Sequence, residues 1–241
     1  MSIDDRIVQA AARLGEGIDR HRPAAFASSL GAEDMVILDL IHRLALDVEI
    51  FTLDTGRLHQ ETHDLLARAR ARYGRPIRVL VPDGAQLEAY ASTHGSNAFY
   101  ESVELRERCC EIRKLAPLRR ALHGKALWIT GLRRGQSAAR TDVDVLGHDA
   151  ANGLMKLNPL ADWSDADVQG YIVRHEVPVN ALHARGYPSI GCAPCTRAVQ
   201  PGENARAGRW WWEQAGAREC GLHVDANGRL VRTQRGAPAT Q

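Results

Sequence analysis

The chain is short of several things, and each shortage excludes something. Its 241 residues contain no run of about 18 uninterrupted apolar residues, so no membrane-spanning helix is expected. The first twenty, MSIDDRIVQAAARLGEGIDR, scatter acids and arginines where a signal peptide needs an apolar stretch, so a cytoplasmic protein is expected. Charge of one sign is lacking too: 31 basic residues face 29 acidic ones, for a net +2. That balance gives no electrostatic reason to expect nucleic acid or a membrane surface as partner. Cysteine is scarce, with five in the chain, and in a cytoplasmic setting disulfides are seldom structural. No internal repeat is present. Apolar residues, at 44%, suffice for a full core.

Apolar spacing predicts a helix over residues 3–20, with Ile3, Ile7, Ala10, Ala11 and Leu14 on one stripe. PAAFASS (23–29) reads as a buried strand. GAEDMVILDLIHRLA then reads as a helix whose acids sit in the first turn, where the dipole favours them. DVEIFTLDT (47–55), PIRVLVP (76–82) and ALWITG (126–131) are further strands, and residues 58–74 form a helix ending at a glycine. Residues 102–123 are helical, with Pro117 expected to kink or end the first half. Residues 164–176 form a late helix, with Ser164 as N-cap and Asp167 at the capping-box position. Strands alternating with helices predict an α/β fold with a Rossmann-like parallel sheet covered on both faces. Ligands of such sheets sit at the carboxyl ends of the strands. After residue 214 the pattern fades, which divides the chain into an α/β domain (1–214) and a mobile C-terminal segment (215–241).

Three strand ends then offer anion donors at one edge. SSLGAED places Ser28, Ser29, Gly31 and Glu33 between a strand and a helix N-terminus, an anion cradle of backbone N–H groups. The loop lacks the GxxxxGK[ST] spacing of a Walker A motif. LDTG brings Asp54 and Thr55 beside it, and TGLRRGQSAAR adds Arg133, Arg134 and Arg140. A nucleotide or similar anion is expected there. The cysteines supply a second site. GCAPCTR contributes Cys192 and Cys195 as a CxxC pair, and ERCCEIRK contributes the adjacent Cys109 and Cys110. Four thiolates suit zinc or an iron–sulfur cluster, and the adjacent pair fits a cubane better, since each cysteine can hold a different iron. Lys114 lies four residues after Cys110, on the same helix face. Cys220, in ECGLH, is the odd one out, three residues before His223, whose charge would raise the thiolate fraction. Upstream, RAGRWWWE puts Arg206 and Arg209 on a segment able to close over an anion, with Trp210, Trp211 and Trp212 expected to pack.

SSLGAED, LDTGRLHQET, CCEIRKLAPL, GLRRGQSAAR, GCAPCTR, RAGRWWWE and ECGLH, in this order, resemble the assimilatory adenylyl-sulfate (APS) reductases, relatives of the phosphoadenylyl-sulfate (PAPS) reductases. The resemblance implies a sheet of the adenine-nucleotide alpha-hydrolase type followed by a mobile C-terminal segment. It implies that Cys109, Cys110, Cys192 and Cys195 hold one 4Fe–4S cluster, and that Lys114 links the cluster's field to the substrate. Cys220 is implied as the nucleophile toward the sulfur of APS, with thioredoxin or glutaredoxin as electron donor. Arg140, Arg206, Arg209 and His223 are implied as phosphosulfate ligands, and Ser29, Leu53 and Gly131 as nucleotide contacts. Cluster-bearing members include enzymes that accept both APS and PAPS. The rival readings are an ATP-pyrophosphatase-type tRNA thiolase, which would show an SGGxDS-like loop, and a zinc-stapled nucleotide sensor. A homo-oligomer is compatible with all of these.

Overall fold

The computed structural model describes residues 2–136 and 143–213. Helix α1 (Ile3–Arg20) opens with a capping box in which Ser2 and Asp5 satisfy each other's backbone N–H groups. Then follow β1 (Ala24–Ala27), α2 (Ala32–Arg43), β2 (Glu49–Leu53), α3 (Gln60–Tyr73) and β3 (Arg78–Leu80). The predicted glycine stop of α3 is observed: Gly74 has φ +60°, a left-handed cap that an ordinary side chain adopts only at a cost. A helix absent from the sequence expectation, α4 (Gly84–His94), starts at the Asp83 N-cap.

The cysteine helix is continuous through Pro117. α5 (Val103–Cys110) passes into a wide π turn (Glu111–Leu115) and on into α6 (Ala116–Leu122). Proline has no N–H, and its ring would collide with the carbonyl four residues back in an α-helix. The wider turn, in which the Ala116 N–H reaches back to the Glu111 carbonyl, takes the place of the expected break.

After β4 (Leu127–Ile129) come β5 (Leu146–Asp149), β6 (Leu154–Leu157) and α7 (Asp165–His175). The predicted Ser164–Asp167 capping box is present at α7. The six strands run in the order β3-β2-β1-β4-β6-β5. All neighbours are parallel except β5, which pairs antiparallel with β6, so the expected parallel sheet carries one reversed edge strand. Alternate strand residues serve the two faces. Ala24, Phe26, Ile50, Leu127 and Ile129 pack in the larger core. Ala25, Phe51 and Trp128 point to the α6 side. The strand order reverses between β1 and β4, and there a doubly wound sheet opens a crevice at its carboxyl edge.

Candidate active site

The chain leaves β1 through a turn that closes on itself. The Ser28 hydroxyl accepts from the Leu30 N–H (3.2 Å), and the Ser29 hydroxyl accepts from the Gly31 N–H (3.3 Å). Leu30 has φ +60°, unfavourable for a branched side chain, and its burial holds it there. The anchor of the turn is Asp34, on the first turn of α2. Its Oδ2 accepts from both the N–H and the hydroxyl of Ser29, each at 2.6 Å. Burial pushes the Asp34 carboxyl up to about 6 despite these bonds. Gly131, at the end of β4, lies so close that a Cβ there would fall 2.3 Å from Asp34 Oδ1. The cradle and the β4 end are thus locked to one buried carboxylate.

Arg133 and Glu33 form part of the same wall. Arg133 Nε and Nη2 donate to Glu33 Oε1 at 2.9 and 2.7 Å, Nη1 donates to the Trp163 carbonyl at 3.0 Å, and Nη2 also reaches Asp165. Its charge is therefore compensated, and it clamps the β4 end to the starts of α2 and α7. Arg134 is exposed and begins a short 3₁₀ turn. Ser28, Ser29, Gly31, Glu33, Leu53, Thr55, Gly131, Arg133, Lys114, Arg206 and Arg209 all border one strand-end cavity of about 730 Å³. Asp54 does not: its Oδ1 accepts from the Gly56 N–H (2.8 Å) and shapes the turn after β2.

That turn leads from the cavity to the cysteines. Thr55 Oγ1 is 3.2 Å from Cys192 Sγ, Leu58 bridges Cys192, and the Ala193 N–H donates to the Arg57 carbonyl at 2.8 Å. Cys109 and Cys110, from the last turn of α5, and Cys192 and Cys195, from the loop, are all buried, are not in disulfides, and line a second cavity. Five cations surround it: Arg57, Arg106, Arg113, Lys114 and Arg209. Burial alone would raise the Cys192 thiol, but Lys114, the Thr55 hydroxyl and the two nearest arginines outweigh it and hold the thiol below its ordinary range. Burial, then the neighbouring Cys192 charge, pushes Cys195 up to about 12, and burial also raises Cys109 against the pull of Arg113. A second thiolate beside Cys192 thus needs a positive charge among the sulfurs, as a bound metal group would supply. Among the described residues no three His, Cys, Asp or Glu side chains are gathered as a single ion requires.

Lys114, Arg209 and Trp210 border both cavities. Trp210, expected only to pack, is a shared partition. Its ring lies 5.0 Å from Arg106 Cζ and 4.5 Å from Arg209 Cζ, and its backbone N–H donates to the Cys195 carbonyl at 3.2 Å. Trp212 does pack, against Tyr100 and Phe99. Arg106 and Arg113 went unnoticed in the sequence, although they lie three residues before and four after Cys109, the helical spacing that singled out Lys114. Arg140, Cys220 and His223 lie outside the described residues.

A cavity at the switch point of a mainly parallel sheet, lined by the turn after β1 and the first residues of α2 and walled by cations, defines an adenine-nucleotide-type α/β protein with a cysteine site built onto it. Residues 23–198 match the phosphoadenosine phosphosulfate reductase domain, and the chain belongs to that family. It is 52% identical over 220 residues to the adenosine 5'-phosphosulfate reductase of Burkholderia cepacia, covering 91% of this chain and 87% of that one. It is 54% identical to the reductase of the same name from Allochromatium vinosum, covering 82% and 77%. Among solved structures it resembles the phosphoadenylyl-sulfate reductase of Candida auris in its phosphate complex. There the TM-score is 0.67 at 27% identity, over 82% of this chain and 96% of the other. Candida glabrata FMN adenylyltransferase shares the fold alone, with a TM-score of 0.57 at 14% identity, over 87% and 72%.

Proposed function

We propose that this chain reduces adenosine 5'-phosphosulfate to sulfite and AMP in assimilatory sulfate reduction, in the cytoplasm. The observation that carries the proposal is the pair of adjoining cavities, one sized and lined for a nucleotide and one for a thiol-held group, divided by Lys114, Arg209 and Trp210. The name shared by relatives more than 50% identical favours APS over PAPS, since the PAPS reductase structure is only 27% identical.

The nucleotide would lie against the backbone of Ser28 to Gly31, Leu53 and Gly131, with Thr55 at the cysteine end. Glu33 and Arg133 hold the wall, and Asp54 holds the turn. The phosphosulfate would meet Lys114, Arg206 and Arg209, with Arg140 and His223 completing the cation set. A sulfate ester resists a thiolate until fixed cations screen its charge. Cys109, Cys110, Cys192 and Cys195 would hold one 4Fe–4S cluster, which four buried thiols around one cavity and their need for a positive charge among the sulfurs would suit. Bound there, the cluster supplies a fixed field beside the substrate. The Cys220 thiolate attacks the sulfur, the bond from sulfur to the bridging oxygen breaks, and AMP leaves with the electron pair. A thiol of thioredoxin or glutaredoxin then attacks the Cys220 sulfur. Sulfite leaves with the bonding electrons, and the donor's second thiol frees Cys220 as the donor's disulfide forms.

Incubation with APS in the absence of any thiol donor tests this. One AMP per active site and a sulfite-sized mass increase on the peptide containing Cys220 are expected, with release on adding thioredoxin. An adduct on another cysteine, or steady turnover by Cys220→Ser, would refute it.

A further inference from the structure

The two cavities meet at Arg209, and the place of its guanidinium depends on a residue with no side chain. A Cβ on Gly191 would fall 2.2 Å from Arg209 Nη1 and 2.3 Å from its Cζ and Nη2. Nothing in the backbone demands glycine there, because Gly191 is outside the left-handed region. Its N–H donates to Thr196 Oγ1 (3.2 Å), as that of any residue but proline would. The segment bearing Arg209 is docked by backbone contacts. The Arg197 N–H donates to the Gly208 carbonyl at 3.0 Å, and Thr196 bridges Arg209. Gly208 is equally crowded, but there a Cβ would strike the Arg197 carbonyl oxygen at 2.2 Å, part of a backbone that is held. At Gly191 the obstruction is the end of a flexible side chain, so added bulk moves a charge and leaves the fold.

That charge is held by shape. Arg209 is buried, its Nε has no hydrogen-bond partner, and among the described residues no carboxylate pairs with it. Arg133 is the contrast, neutralised by Glu33 and Asp165. We propose that Gly191 is a positioning residue, whose missing side chain forms the slot that keeps the Arg209 guanidinium on the partition between the cavities, facing the anion of the bound nucleotide. The proposal rests on the assignment of Arg209 to the APS anion.

The test uses the full chain carrying Cys220→Ser, so that no chemistry follows binding, and measures affinity for APS and for adenosine, which has no anion. Gly191→Ala is expected to weaken APS binding about tenfold and to leave adenosine within about twofold. Adding Gly191→Ala to Arg209→Ala is expected to weaken APS binding no further, since the slot is then empty. Additive losses in the double variant would overturn the proposal, as would unchanged APS affinity in Gly191→Ala when Arg209→Ala weakens it. Unchanged APS affinity in Arg209→Ala would instead overturn the assignment of Arg209, and the proposal with it. A crystal structure of Gly191→Ala would still show whether the guanidinium had moved. Should Gly191→Ala fail to fold, the double variant is expected to fold, and its failure would overturn the proposal.

Discussion

Removing Glu213 should destabilise the protein far more than removing it together with its partner. Arg106 and Glu213 are joined by two hydrogen bonds, Nε to Oε1 at 2.8 Å and Nη2 to Oε2 at 3.1 Å, with side chains 1% and 4% exposed. Burial alone would lower the Arg106 pKa, and Glu213 reverses that and holds it raised. The pair fastens residues 209–213 to α5, beside Cys109 and Cys110. Glu213→Ala takes the carboxylate away from a buried guanidinium, and breaking a buried pair in this way costs about 3–5 kcal/mol. For a chain of this size each kcal/mol lowers Tm by about 2–4 °C, so a fall of roughly 6–20 °C is expected. Arg106→Met with Glu213→Leu removes both charges and fills the space, and should cost less than Glu213→Ala alone. Urea unfolding followed by circular dichroism reads the free energies, with m-values confirming a common transition. A Glu213→Ala protein within about 1 kcal/mol of the parent would show that the pair is solvated in solution, and the reasoning would fail.

Three further outcomes are expected. The folded pKa of Asp34, about 6, stands above its ordinary 3.8, so the native state binds this proton more tightly. Stability should therefore fall by about 2 kcal/mol as pH rises from 4 to 6 on this group's account, and Asp34→Asn should flatten that dependence in urea titrations; an identical slope in both proteins would exclude Asp34 as its source. Lys114→Ala should retain iron yet lose about a hundredfold in turnover, roughly 3 kcal/mol for one directed charge, whereas full activity with intact iron would exclude Lys114 from the reaction. Gly131→Ala drives a methyl into Asp34 and the Glu33 Cβ, 2.3 and 3.0 Å away, and should cost about 1–3 kcal/mol; AMP affinity measured by calorimetry should fall as well, and a neutral substitution would mean that the cradle yields.

Local signals carried most of the fold. The stripe on α1, the glycine after α3 and the Ser164–Asp167 box each depend on neighbours within a turn or two, and each lies where its spacing indicated. β5 and β6 went unread because each has only four residues, and Gly147, His148 and Asp149 break the apolar alternation. Their signal was the Asn152–Gly153 turn, with Gly153 at φ +67°. α4 was missed because its buried face is a single tyrosine, Tyr90. At the site, the motifs named most of the wall, since strand ends in such a sheet converge. That Arg133 is spent on Glu33, and that Gly191 yields its space to Arg209, are long-range facts, and no local periodicity encodes them.

The partition shared by the two cavities has a thermodynamic consequence. Lys114 and Arg209 look onto both spaces, so an anion on one side and a charged group among the thiols on the other act on the same two cations. If either occupant alters the affinity for the other, linkage requires the effect to be equal in both directions. A nucleotide that would bind more tightly to a protein holding a group among its thiols must, by the same factor, tighten the protein's hold on that group. Substrate would then be a protectant of the metal site, and saturation with AMP would shift the equilibrium position of any chelator titration.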